Sequence, residues 1–105
     1  GEGSLHDVSS FGLSSAFSDV LKKVKTEELK EIFAERFTVA EKIDMIVNLM
    51  KTESRVEFAG LFADAGSRHE IVCTFLAVLE LIRLKQIVAQ QEKSFGEILI
   101  VKVAA

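Results

Sequence analysis

The C-terminal stretch FLAVLELIRLKQIVAQQEKSFGEILI, residues 75–100, constrains the fold more than any other part of this sequence. Its first half has a helical pattern with almost no polar side, and its last run, ILIV, is apolar on both faces of a strand. A helix or strand that is apolar all round must be covered on every side. A chain of 105 residues has few elements for that purpose, so part of this surface is predicted to dock on another protein.

Composition indicates one small domain without a membrane span or a disulfide. Hydrophobic residues make up 49% of the chain and the mean hydropathy is +0.27, which is high for a free-standing domain. No apolar run approaches the ~18 residues of a membrane helix, and the N-terminus shows no signal-peptide pattern. Cys73 is the only cysteine, which excludes an internal disulfide and favours a reducing compartment. We therefore expect a cytoplasmic location without membrane contact.

The chain divides into three parts by its pattern. Residues 1–7 are interpreted as a tag remnant or ragged end. Residues 8–31 combine a leading helix with a charged connector, and residues 32–105 form the domain proper.

The order of elements within residues 32–105 is that of a winged helix. Capping boxes at Thr38–Glu41 and Ser67–Glu70 predict two helices, ending near Lys51 and Lys85. The other predicted elements are a short strand within residues 32–39, a strand in SRVEF, a short helix over residues 58–65, and a hairpin of IVAQQE and EILIVKV around Lys93–Gly96. The predicted fold class is α+β and mostly helical: a helix-strand-helix-helix-hairpin winged helix with an extra N-terminal helix.

The helix predicted from Arg68 has two apolar stripes at ~100° per residue. A first, ordinary core stripe comprises Ile71, Phe75, Val78, Leu79 and Ile82; the second, roughly opposite, comprises Cys73, Ala77, Leu81 and Leu84. Either the N-terminal helix and the hairpin cover the second stripe or a partner protein does. Leu76, Leu79 and Phe95 are assigned to the core.

The last strand poses the same choice. Its two faces are Ile98, Ile100 and Lys102 on one side and Leu99, Val101 and Val103 on the other. A strand with one face in water normally alternates apolar and polar residues, whereas here both faces require cover. If the hairpin lies at the edge of the sheet, its free backbone groups also offer pairing to a partner strand.

The segment HEIVC, residues 69–73, is the nearest approach to a chemical motif. It resembles the zinc-protease pattern HExxH with cysteine in place of the second histidine, and His69 and Cys73 share a helix face. Zinc requires three or four ligands, and His6 is the only other histidine. The better interpretation is a first-turn histidine beside a buried structural cysteine. No enzyme activity, catalytic residue, metal or cofactor is predicted.

Several blocks of the sequence together resemble one known family. The blocks are FLA at residues 75–77, LEL at 79–81, Gln90 in the first wing strand, and FGEI at 95–98, with GLSSAFSDVLKKV and VEFAGLFA upstream. Over about residues 8–103 the chain resembles the C-terminal winged helix of the bacterial kleisin called segregation and condensation protein A. The family's N-terminal helical domain and most of its middle segment have no counterpart, so the resemblance implies a fragment of a longer chain.

The resemblance implies a non-enzymatic clamp in chromosome condensation and segregation. In the family, the C-terminal winged helix docks on the ATPase head of an SMC protein, and the full kleisin bridges two heads into a ring. The implied partners are the SMC ATPase head directly and segregation and condensation protein B through the full-length chain. Contact with DNA is expected only indirectly, within a nucleoid-associated complex.

The residues predicted to contact the SMC head take their region from the resemblance and their choice from the apolar pattern. They are Leu81, Arg83, Leu84, Val88, Gln90, Ile98 and Ile100. Arg83 either pairs with an acidic partner residue or extends to solvent along the apolar surface. A charge introduced at Leu84 or Ile100 is expected to abolish head binding and leave the fold intact.

The element order alone also allows a winged-helix transcription regulator that binds DNA. A formal charge of −3 and a pI near 5.4 provide no basic footprint for nucleic acid. The apolar third helix offers little that reads base edges, where arginine, asparagine or glutamine would be needed. Protein docking is therefore preferred, and a homodimer of the fragment through the same apolar surfaces stays open.

Overall fold

The computed structural model describes residues 5–23, 37–93 and 96–103. In chain order the elements are β1 (His6–Asp7), α1 (Ser10–Lys23), α2 (Val39–Thr52), β2 (Arg55–Glu57), a 3₁₀ turn (Ala59–Phe62), α3 (Arg68–Arg83), β3 (Ile87–Gln91) and β4 (Ile98–Lys102). This order confirms the α+β winged-helix class with an additional N-terminal helix. Residues 32–36 of the predicted strand and most of the charged connector lie outside the described residues, whereas residues 37–39 lead into α2 and form no strand.

The capping box predicted for α2 is confirmed. The Glu41 amide donates to Thr38 Oγ1 at 3.1 Å, and the Thr38 amide donates to Glu41 Oε1 at 2.9 Å. These reciprocal bonds satisfy two of the amide donors that a helix N-terminus leaves unpaired.

The second capping box, at the start of α3, is only half formed. The Glu70 amide donates to Ser67 Oγ at 3.1 Å, as predicted. The Glu70 carboxylate instead accepts from the Gly66 amide at 2.8 Å and from Lys42 Nζ at 2.6 Å. The Glu70 carboxylate was predicted to bond the N-cap of its own helix, α3, but it bonds Lys42 on α2 instead.

The ion pair between Lys42 and Glu70 fastens α2 to α3. Both side chains are largely buried, at 7% and 14% exposure, and Lys42 Nζ also lies 4.4 Å from the centroid of the Phe37 ring. Burial by itself raises the pKa of Glu70, but hydrogen bonds from Lys42 and the Gly66 amide, with the Lys42 charge, lower the pKa below its ordinary value. The pair is thus a satisfied polar contact within an otherwise apolar helix layer.

Sheet order places the hairpin in the middle of the sheet. The strands are antiparallel in the order β1-β3-β4-β2, with Val88 opposite Val101 and Ala89 opposite Ile100. Since β3 and β4 each have a strand on both sides, the hypothesis of a hairpin at the sheet edge is wrong. The two-residue β1, which pairs with Gln90 and Gln91, was not predicted and lies within the segment interpreted as a ragged end.

The core joins both apolar stripes of α3 to the inner face of the sheet. Ile71, Phe75 and Val78 from the first stripe are buried, and Cys73, Ala77 and Leu81 from the second are buried as well. On the α1 side, the rings of Phe17 and Phe75 stack with centroids 4.1 Å apart, and Phe58 and Phe62 complete an aromatic cluster. On the other side, α2 packs along α3 with Ile46 and Met50 buried.

Two local predictions need correction. The short helix expected over residues 58–65 is a 3₁₀ turn of four residues, Ala59–Phe62. Leu76, assigned to the core, is 44% exposed because it lies on α3 between the two buried stripes. Leu79 is half-buried and packs against the core, whereas Phe95 lies outside the described residues.

The turn from α3 into β3 sets the direction of the hairpin. Lys85 has a φ of 62°, in the left-handed region usually occupied by glycine. Its amide donates to the Ile82 carbonyl, and the next amide, that of Gln86, donates to the Leu81 carbonyl, both at 2.9 Å. This pair of bonds is a Schellman motif, which closes the helix and turns the chain directly into the strand.

Candidate partner-binding surface

Three of the residues predicted to contact a partner are buried within the chain itself. Leu81 is 1% exposed, Ile98 9% and Ile100 0%. Leu81 belongs to the second apolar stripe of α3, which other elements of the chain cover. The two isoleucines lie on the inner face of β4. The prediction that these three residues are available at the surface is therefore wrong, and a charge at Ile100 would disrupt the core.

The other four predicted residues retain access to solvent. Leu84, at the C-terminal cap of α3, is 46% exposed, and Arg83 is exposed beside it. Val88 and Gln90 are half-buried on β3. They lie in two separate places, one on α3 and one on the sheet.

Beyond its first turn, where Arg68 and His69 are exposed, the solvent-facing side of α3 is a narrow stripe, here called the α3 stripe: Val72, Leu76, Glu80 and Arg83. These positions recur every three or four residues, so they share one face. Arg83 Nε donates to Glu80 Oε1 at 3.0 Å and Nη2 to Glu80 Oε2 at 2.6 Å, a bidentate pair that lowers the pKa of Glu80. The charge of Arg83 is therefore already paired. Neither predicted role of Arg83, pairing with a partner protein or extension to solvent, included Glu80, which lies one turn back on the same helix.

The sheet has an outward surface of its own, here called the outer sheet face. The register brings together Leu99 and Val101 on β4, Val88 and Gln90 on β3, Arg55 and Glu57 on β2, and Asp7 on β1. Val88, Leu99 and Val101 are half-buried, whereas Arg55, Glu57 and Asp7 are exposed. An apolar centre is thus surrounded by charged side chains and by Gln90, whose Nε2 donates to Asp7 Oδ1 at 3.3 Å.

A pair of carboxyl groups lies at one end of the outer sheet face. Glu57 is opposite Leu99, and Glu97 is two residues before Leu99, so the two glutamates are diagonal neighbours on one face. A hydrogen bond with Glu57 and the repulsion between their charges raise the pKa of Glu97. An open cavity of about 380 Å³ is lined by Glu97 and, among others, by Leu5, Arg55 and Lys93.

The histidine and cysteine of HEIVC meet a backbone carbonyl. His69 Nε2 lies 2.7 Å from the Phe37 carbonyl oxygen, Cys73 Sγ lies 3.4 Å from the same oxygen, and the two side chains are 3.6 Å apart. Both therefore contact the residue that precedes the α2 cap. Across the described residues, no group of three or more histidine, cysteine, aspartate or glutamate side chains is placed to hold a metal ion.

Membrane insertion has no candidate among the described helices. None of them is both long and apolar enough to cross a bilayer.

The fold is that of a winged-helix domain with two exposed, partly apolar surfaces. Its third helix presents leucine and valine at positions where a DNA-binding winged helix presents basic and amide side chains. The family model described as "Segregation and condensation protein ScpA" matches residues 5–103. This chain belongs to that family.

Curated relatives named segregation and condensation protein A agree with this assignment. The relative from Lactococcus lactis subsp. lactis (strain IL1403) is 35% identical over 99 residues, covering 91% of this chain and 41% of the relative. The relative from Streptococcus sanguinis (strain SK36) is 30% identical over 100 residues, covering 92% and 42%, and that from Myxococcus xanthus (strain DK1622) is 33% identical over 98 residues, covering 91% and 34%. The chain therefore spans about two fifths or less of the length of these relatives.

Proposed function

We propose that this chain is the partner-docking winged helix of a kleisin and acts in chromosome segregation and condensation by binding the ATPase head of an SMC protein. Family membership over residues 5–103 supports the segregation and condensation role. The relatives carry that role in their names. Binding to the head and the recruitment of segregation and condensation protein B through a longer chain rest on the resemblance to kleisins.

The observation that carries a docking role is the character of α3. In a winged helix that reads DNA, the exposed side of the third helix carries donors and acceptors for base edges. Beyond the first turn, where Arg68 and His69 are exposed, that side consists of Val72, Leu76 and an ion pair that is already satisfied between Glu80 and Arg83. Such a surface favours contact with a protein over contact with a nucleic acid.

Isothermal titration calorimetry with an isolated SMC head domain tests the proposal. We expect a complex of one chain with one head, with a dissociation constant in the micromolar range or below. Native mass spectrometry of the same mixture gives the stoichiometry. A folded chain that shows no heat of binding at concentrations of tens of micromolar would contradict the proposal.

An electrophoretic mobility shift at low salt provides the control for the competing function. We expect no retardation of an arbitrary duplex, because the acidic chain has no basic footprint. Tight binding to duplex that weakens steeply with added salt would support the DNA-binding alternative instead.

A further inference from the structure

The outer sheet face has the anatomy of a protein interface. Its centre is the apolar set of Val88, Leu99 and Val101, which lie on neighbouring strands in register. Charged side chains surround that centre on β1 and β2. Protein interfaces commonly have an apolar centre depleted of charge and a polar rim, whereas the water-facing side of a sheet usually alternates to polar residues.

The charges at one end of this face indicate the partner's chemistry. Glu57 and Glu97 lie side by side next to Leu99, and neither forms a salt bridge with any of residues 5–23, 37–93 or 96–103. Like charges on neighbouring positions of one sheet face repel each other, and a hydrogen bond with Glu57 together with this repulsion raises the pKa of Glu97. A cationic group between them would remove the repulsion and gain two attractive contacts.

The cavity lined by Glu97 provides room for an incoming side chain. It has a volume of about 380 Å³, and Leu5 and Leu99 contribute apolar walls while Glu92 and Glu97 contribute acidic ones. Arg55 and Lys93 also line it, but acidic groups outnumber basic ones once Asp7 and Glu57 on the same face are included. A long side chain with an apolar stem and a cationic end fits these walls.

We propose that the outer sheet face is the docking surface of this domain, and that its protein partner packs an apolar residue over Leu99 and Val101 and places a lysine or arginine between Glu57 and Glu97. The inference rests on the proposed function, since it assigns the surface and the chemistry by which the SMC head is bound. It moves the contact away from Leu81, Ile98 and Ile100, which the chain buries itself.

The test compares two double charge reversals in the same calorimetric titration with the SMC head domain. Glu57→Lys/Glu97→Lys acts on the outer sheet face, and Asp44→Lys/Asp64→Lys makes the same change in net charge at exposed positions on α2 and beyond the 3₁₀ turn. All four positions are exposed, so circular dichroism and thermal unfolding should show both variants folded.

We expect the reversal at Glu57 and Glu97 to weaken binding by about tenfold or more, and the control reversal to change it by about twofold or less. The wild-type affinity should also fall as salt is raised, because a charge pair at the rim is screened. If wild type binds and both variants bind equally well, the surface assignment is wrong while the proposed function stands. If wild type does not bind, the proposed function fails and the inference fails with it.

Sedimentation velocity of the chain alone gives the remaining outcome. We expect a monomer, because acidic side chains outnumber basic ones on this face, so two identical faces would repel each other. A dimer that the Glu57→Lys/Glu97→Lys change dissociates would assign the outer sheet face to a second copy of the chain and would overturn the proposal.

Discussion

The inner and outer faces of the C-terminal hairpin are equally apolar in sequence and opposite in environment. Ile98 and Ile100 on the inner face are buried against the helices, whereas Leu99 and Val101 on the outer face are only half-buried. The difference comes from the position of β4 in the middle of the sheet, with the helices packed on one side. Hydrophobicity along a strand therefore does not show which of its two faces is the core.

The comparison explains why three of the seven predicted contact residues are buried within the chain itself. Leu81, Ile98 and Ile100 are among the most apolar positions of the C-terminal block, and all three are buried in the core. Of the residues that stay accessible, Leu84 is flanked by the charged Arg83 and Lys85, whereas Val88 lies between the apolar Ile87 and Ala89 and is accessible because it points to the outer side of the sheet. In so small a domain, candidate partner-binding residues are better sought among apolar positions that the core does not bury than among the most hydrophobic positions of the sequence.

Shortening one side chain on each face of the hairpin tests most directly whether the inner face is core and the outer face is not. Ile100→Ala should lower the free energy of unfolding by about 2–5 kcal/mol, because it removes buried methylene groups and leaves a cavity. Val101→Ala should cost less than about 1 kcal/mol, since its neighbours relax into solvent. Urea unfolding followed by circular dichroism measures both.

Affinity should show the reverse order. Val101→Ala is expected to weaken SMC-head binding while the domain stays folded, whereas Ile100→Ala should affect binding only through the population of unfolded chain. Equal losses of stability at both positions would mean that the outer sheet face is core, and the contrast between the faces would not hold.

Two ion pairs among the described residues repeat the contrast within the helix layer. Lys42 and Glu70 are largely buried between α2 and α3, whereas Arg83 and Glu80 are exposed along one helix. Removing one partner of a buried pair leaves an uncompensated charge, whereas an exposed pair contributes little to stability. The buried pair should therefore matter to folding and the exposed one to the surface alone.

Lys42→Met sharpens this second contrast, with a smaller expected effect than Ile100→Ala. The methionine keeps the apolar stem but leaves the Glu70 carboxylate with only the Gly66 amide, so stability at neutral pH should fall by about 2 kcal/mol. Arg83→Met, the matched control at the exposed pair, should leave the unfolding midpoint unchanged.

The effect of Lys42→Met should depend on pH with a defined sign. The pKa of Glu70 in the folded chain is below its ordinary value of 4.5, so its contribution is complete above that value and is lost as pH falls through the lowered pKa. The stability difference between wild type and Lys42→Met should therefore shrink on acidification below about pH 4.5. A difference that stays constant to pH 3 would indicate lost packing instead of a lost ion pair.

The elements were largely predictable because their signals are local. The Thr38–Glu41 box, the 3.6-residue period of α3 and the glycine-containing turn of the hairpin each act within a few residues, and the structure bears them out. Long-range choices were not predictable from the pattern. Glu70 bonds Lys42 instead of its own cap, and β1 exists only because β3 offers it an edge.

The candidate surface was less predictable than the fold for the same reason. Leu76 was assigned to the core although it belongs to neither apolar stripe of α3, and it is exposed, whereas Leu79 lies on the first stripe and is half-buried. The Glu57 and Glu97 pair joins residues forty positions apart, and the register of β2 on β4 brings them together. A resemblance to kleisins supplied the region, and the sheet register supplied the residues within it.

The smallest expected effect concerns the turn that decides which hairpin face is inner. Lys85 adopts a left-handed φ of 62°, which costs a residue with a β-carbon roughly 1 kcal/mol relative to glycine. Lys85→Gly should therefore raise the free energy of unfolding by up to about 1 kcal/mol, less the entropy that glycine adds to the unfolded chain.

The matched change Gln86→Gly, one residue further on, gains no such relief and should destabilise the chain, because β3 begins at the next residue. If both glycines lower the unfolding midpoint in urea, the left-handed turn at Lys85 is not strained, and the direction of the hairpin is set by the packing of Ile87, Ala89 and Ile100 alone.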